Sequence, residues 1–149
     1  MILLVHMLLG ALIGSKINNI FFAIILAFLS HYFLDTFPHI EYPIENIVKK
    51  QWRKALPDFS RVILDFCLGI LLIALLSNNH PIIYICAFFA ILPDGFSILD
   101  LIFKNKLLRE HSKFHQEKIH TMKNKKFSKF WRISSQVVAG IICIILLKI

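Results

Sequence analysis

Residues 17–37 read INNIFFAIILAFLSHYFLDTF, and this stretch decides the fold class. It contains no Lys or Arg, opens on Asn18-Asn19 and is followed by Pro38. At a rise of about 1.5 Å per helical residue, the run is long enough for roughly 30 Å of hydrocarbon. Proline disfavours helix in the residue before it, so Pro38 closes the segment. Working outward, four more apolar stretches appear at residues 1–14, 60–77, 81–103 and 130–149. Gly14-Ser15 ends the first, which is short for a span. Asn78-Asn79-His80-Pro81 forms a turn between the third and fourth, and Pro81 suits the first turn of a helix. Residues 1–14 lack the basic start of a secretory signal, so they read as a retained helix.

Composition agrees. Hydrophobic residues make up 57% of the 149 positions, including fourteen Phe, against roughly 45–50% in a soluble globular domain. Mean hydropathy is +0.68. These features predict an all-α fold: one domain over residues 1–149, built as a polytopic transmembrane helix bundle of about four to five spans. Cys67, Cys86 and Cys143 all fall in apolar runs with no metal-type spacing, and read as small apolar fillers.

The net charge of +8 is concentrated between the apolar runs, at residues 49–61 and 104–132. A nucleic-acid partner is not expected, because basic blocks separated by spans read as loops on one side of a bilayer. With the N-terminus cytoplasmic, only Lys16 and Lys148 of the seventeen Lys and Arg fall on the far side. The cytoplasmic connections are then residues 40–59 and 104–129. Trp52, among Lys49, Lys50, Arg53 and Lys54, marks an interfacial segment in the first. The second lacks Gly and Pro and reads as a basic helical loop.

Ionisable groups inside apolar spans are costly, so a functional role is the default reading. His6, His31, Asp35, Asp65 and Asp94 are such groups, with His39, His111, His115 and His120 just outside. With the topology above, all lie within two to three turns of one interface. His31-x-x-x-Asp35 places an imidazole and a carboxylate on one helix face, a spacing that suits two ligands on Zn²⁺ or a similar ion. His111-x-x-x-His115 repeats it, and His39 adds an imidazole past the second helix. Pro93 and Gly95 flank Asp94 and predict a broken helix lining a site. Plainer readings stand beside these: a solvated helix for His111 and His115, an ion pair with Arg61 for Asp65, a buried core histidine for His6. Gln136, with Ser134 and Ser135, reads as helix–helix hydrogen bonding or support for the site. Gly10-x-x-x-Gly14 is a packing signal.

The set His6, His31-x-x-x-Asp35, Leu92-Pro93-Asp94 and His111-x-x-x-His115 resembles membrane-bound metal-dependent hydrolases of the LexA-binding inner-membrane type. Those look distantly like zinc-dependent phospholipases C and P1-type nucleases. Residues 30–42, SHYFLDTFPHIEY, also resemble a segment of small proteins of this kind. Here H-x-x-x-D precedes L-P-D, an H-R-G-x-T-H-S element is absent, and no Asp-His follows L-P-D.

The resemblance and the residues together imply a metal-dependent phosphoester hydrolase at the cytoplasmic membrane surface. His6, His31, Asp35, His39, Asp94, His111 and His115 are the expected ligands of one or two divalent ions, Zn²⁺ by ligand type. Asp65 or Asp94 is the expected general base. The expected partners are the lipid bilayer and an anionic phospholipid or another phosphate-bearing substrate drawn in by the basic loops. The rival expectations are a small metal- or proton-coupled transporter and a non-catalytic membrane protein that binds headgroups or a partner.

Overall fold

The computed structural model describes residues 1–103, 105–120 and 127–149. All regular structure among them is helical: α1 (Leu3–Lys16), α2 (Ile20–Asp35), α3 (Glu45–Val48), α4 (Leu56–Leu76), α5 (Pro81–Ile102), α6 (Lys106–Phe114) and α7 (Lys129–Lys148). A 3₁₀ turn spans Trp52–Lys54, and a π-helical turn, His115–Ile119, extends α6. Of the basic connection at 104–129, Lys104 and residues 121–126 lie outside the described residues.

Local chemistry sets the ends. Asn19 caps α2, its side chain accepting from the Phe22 N–H at 3.2 Å, so the helix begins later than the apolar run. Pro57 fits the first turn of α4, where no N–H is needed, and that helix starts before residue 60. Asn79 takes a left-handed φ of 58° in the turn before α5, a conformation asparagine tolerates.

The expected break at Pro93 does not occur: α5 runs continuously over 22 residues. Proline forfeits the bond to the Phe89 carbonyl and crowds the preceding turn, at a cost of about 3 kcal/mol in a free helix. Packing of α5 along α1 and α2 holds the helix through it.

Among the described residues, three helices, α4, α5 and α7, are long and apolar enough to cross a membrane; α1 and α2 are apolar but shorter, at 14 and 16 residues. The short α1 is nonetheless the axis of the bundle, touching α2, α4, α5 and α7. Met7, Leu8 and Ala11 pack with Ile73, Ile83, Ala87 and Cys143. Gly10 and Gly14 allow α1 to lie directly on α5: a Cβ on Gly10 would stand 2.5 Å from the Cys86 carbonyl oxygen. His6 shares that stripe at i, i+4 spacing, so the face that seats α1 also aims its imidazole inward.

The outer surface is apolar. Leu64, Leu71 and Leu75 of α4 are each more than half exposed, as are Val137 and Val138 of α7. A monomer in water rarely displays so large a contiguous apolar surface; hydrocarbon is the solvent that suits it. The N-terminus of α1, the C-termini of α2 and α5, and the N-termini of α4 and α7 meet at one end of the bundle, and the polar residues collect there.

Candidate metal centre

Asp35, on the last turn of α2, is fully buried. Five imidazole Nε2 atoms face its carboxylate. His6 lies at 3.2 Å and His39 at 3.7 Å from Oδ1; His31 lies at 3.1 Å, His115 at 3.0 Å and His120 at 3.3 Å from Oδ2. The Met1 amino group also meets Oδ1. Asp94 on α5 approaches His31 Nε2 at 3.6 Å.

Two ligand groups emerge among the described residues. One is His31, Asp35, Asp94 and His115; the other is Asp35, His39 and His120; within each group the ligand atoms lie within 4.8 Å of one another. Either group could hold a metal ion, and Asp35 belongs to both.

Tautomers follow from the hydrogen bonds. His31 Nδ1 lies 2.8 Å from the Ala90 carbonyl oxygen, and His39 Nδ1 lies 2.7 Å from that of Phe37. A carbonyl only accepts, so each Nδ1 carries a proton and each ring turns its Nε2 toward Asp35. Burial pushes the His39 imidazole down to about 4, which favours the neutral, ligating form. A bare lone pair facing carboxylate oxygens at such distances repels them, and either a proton on Nε2 or a bound cation relieves that contact. The fully buried His6 ring has no hydrogen bond at either nitrogen, although Nε2 is 3.2 Å from Asp35. An orphaned, buried imidazole costs desolvation energy that a bound cation would offset. The donor set of imidazoles and carboxylates therefore fits a divalent ion.

The surroundings hold the ligands in place. The side-chain amide of Gln136 on α7 donates to the Ile40 carbonyl at 2.8 Å, and the Ser135 hydroxyl donates to that of Pro38. These bonds fix the extended segment on both sides of His39, the kind of support that orients metal ligands. Glu41 Oε1 lies 3.1 Å from His120 Nδ1.

Three expected residues lie outside both ligand groups: His6, whose Nε2 still faces Asp35 at 3.2 Å, His111 and Asp65. The Nε2 of His111 is 2.8 Å from the Tyr32 hydroxyl. The Asp65 carboxylate accepts from the Leu4 N–H at 2.8 Å and from the Tyr42 hydroxyl, and Tyr42 in turn accepts from the Leu3 N–H at 2.9 Å. Asp65 thus satisfies the open N–H groups at the start of α1, with Tyr42 as a bridge. Arg61, its expected partner, lies instead 3.4 Å from Asp58.

His120 enters the cluster despite following His115 by five residues, a spacing that an α-helix would splay. The π-helical turn removes the difficulty. The His120 N–H donates to the His115 carbonyl at 3.2 Å, and the two Nε2 atoms lie 3.2 Å apart. The only signal in the sequence is the five-residue spacing, which puts the two rings on no common face of an α-helix.

The site opens on one side. A cavity of about 410 Å³ is lined by Asp94, Glu41 and His120 from the cluster and by apolar residues of α3, α4 and α5. Asp94 is the member of its ligand group that is not fully buried, with 30% of its side chain exposed.

No family model, curated protein or solved structure matches this chain. Fold and site still define a class: an all-helical protein with helices of membrane-crossing length and a buried imidazole–carboxylate cluster able to hold a metal ion.

Proposed function

We propose that the chain is a membrane-embedded, metal-dependent hydrolase of phosphate esters. The observation that carries this reading is the convergence on Asp35 of imidazoles from four separate parts of the chain, beside an open cavity. A purely structural histidine cluster does not need a partly exposed carboxylate at the mouth of such a cavity.

His31, Asp35, Asp94 and His115 would hold one divalent ion, and His39, His120 and Asp35 a second, with Zn²⁺ favoured by the donor types. A divalent ion there supplies Lewis acidity and lowers the pKa of water toward about 7. The protein's own groups do the rest. Asp94 faces the cavity and accepts the proton of the attacking water. The water oxygen bonds to phosphorus as the ester P–O bond breaks. The leaving oxygen takes that bond's electron pair and is protonated from the cavity. His31 and His39, their Nδ1 protons held by backbone carbonyls, keep their orientation throughout.

The basic connections support placing the N-terminus and the site end at the cytoplasmic face. Lys and Arg near that face would draw in an anionic headgroup.

The test is metal content and turnover of protein purified in detergent. Expected is bound zinc near stoichiometry with release of 4-nitrophenol from a 4-nitrophenyl phosphate ester, both lost in His31→Ala and Asp35→Ala. Metal-free protein after zinc reconstitution, or zinc-loaded protein inert toward both mono- and diesters, sinks the reading.

A further inference from the structure

The cavity beside the cluster has two chemically different walls. Asp94, Glu41 and His120 stand on the metal side, with Ser97 and Ser112 next to them. The rest of the lining is mostly apolar, with Ile44 and Ile47 before and on α3, Phe59 and Val62 on α4, and Ile98 and Leu101 on α5; Tyr42, Asp100 and Gln116 are the polar residues among them. Its volume of about 410 Å³ falls within the roughly 300–1,000 Å³ of ordinary small-molecule sites. An inorganic or short-chain phosphate would use only the polar wall and leave the other wet.

The rim of the apolar wall continues outward. Val48 lines the cavity and is half exposed, and Phe59 is partly exposed; Leu56 and Trp52 nearby are also exposed. They belong to the connection at residues 40–59 that reads as an interfacial segment, where they would offer an amphiphile's chain an apolar entry.

We propose that this cavity binds the hydrocarbon chain of an amphiphile whose phosphate ester reaches the Asp35 cluster, so that the substrate is a long-chain phosphate ester drawn from the membrane. The inference rests on the hydrolase reading for the fate of the headgroup, and on the cavity alone for the chain. A chain drawn from the bilayer is already out of water, so what it gains in the cavity is close packing against the apolar lining rather than transfer from water. Selectivity then comes from chain length, and headgroup chemistry is set at the cluster.

The experiment has two arms, both in nanodiscs with zinc-loaded full-length protein. In the first, n-alkyl phosphates from ethyl to dodecyl are compared by phosphate release. Expected is a kcat/KM that rises with chain length in the wild type, and a slope that collapses in Val62→Trp and in Ile98→Trp, which fill the cavity. Bulk partitioning into the nanodisc is the same for all three proteins, so the difference in slope reports the cavity. Retained zinc identifies a folded variant, and the second tryptophan variant replaces any that fails to fold. Equal slopes in wild type and filled variants overturn the inference and leave the hydrolase reading standing.

In the second arm, dodecyl phosphate with a diazirine near the chain end is photolysed and labelled peptides are mapped. Expected is label at residues 44–48, 59–62 and 98–101, competed by unlabelled dodecyl phosphate. Label spread over the outward faces of α4 and α7 without competition overturns the inference. Label in the cavity without turnover of any ester supports the chain-binding cavity and overturns the hydrolase reading together with the role of the amphiphile as substrate.

Discussion

The Nδ1 of His31 lies 2.8 Å from the carbonyl oxygen of Ala90, which fixes the tautomer of a ring whose other nitrogen faces Asp35 at 3.1 Å. A helix carbonyl on α5 thereby sets the donor atom that α2 presents. Asp35 is shared by both ligand groups, whereas His115 serves one and His39 the other. Metal stoichiometry should separate them. Asp35→Asn should empty both positions, and His39→Gln should weaken one by at least about tenfold while leaving the other filled. Zinc per chain after dialysis against a metal buffer reads this directly. Full occupancy in Asp35→Asn would show that the cluster is not a metal centre.

His111 and His120 should behave oppositely. His111 bonds to Tyr32 and lies outside the ligand groups, whereas His120 Nε2 is 3.3 Å from Asp35. His111→Ala should keep its zinc; His120→Ala should lose the ion shared with His39. The same dialysis measurement decides it, and retention in His120→Ala with loss in His111→Ala would reverse the assignment.

The contrast between those two histidines shows how far the sequence could be read. The helices were legible because uninterrupted apolar runs have few other meanings, and His31 with Asp35 was legible because i, i+4 positions share a face on an ordinary helix. His120 was not, because its alignment depends on one π-helical turn that no local propensity announces. Asp65 read as a catalytic candidate because a carboxylate in a span is costly, yet its partners are the first N–H groups of α1 and a tyrosine 23 residues away. That pairing is fixed by how helices dock, which composition does not encode. Pro93 read as a break because propensity is local, whereas the packing that holds α5 together is tertiary.

Tyr42 carries a pH dependence of its own. Burial, and then its hydrogen bond to Asp65, push the phenol above its ordinary value of 10. A group whose folded pKa exceeds its unfolded one stabilises the fold fully below the unfolded value, and that contribution is lost as pH rises toward the folded value. The wild type should lose stability above pH 10. Tyr42→Phe should be less stable at neutral pH by about 1–2 kcal/mol, from the lost bonds to Leu3 and Asp65. The gap between the two should narrow as the pH climbs past 10. Unfolding followed by circular dichroism in detergent at stepped pH tests both parts, and a constant gap would contradict the buried-phenol account.

Glycine substitutions test whether the close seat of α1 on α5 holds the bundle together. A Cβ at Gly10 would meet the Cys86 carbonyl oxygen at 2.5 Å and the Ala90 Cβ at 2.6 Å, both carried on a packed helix. Neither atom can swing aside, so the helices must part, and overpacking of this kind costs about 1–3 kcal/mol. At Gly95, on the same α5, a Cβ meets nothing within 4 Å. There alanine adds only helix propensity, worth up to about 1 kcal/mol. Gly10→Ala should therefore lower the thermal midpoint in detergent while Gly95→Ala holds or raises it. Because α5 carries Asp94 and the Ala90 carbonyl that holds His31 Nδ1, parting α1 from α5 should also reduce zinc retention. A Gly10→Ala protein with wild-type melting would mean that α1 does not sit on α5 at this distance.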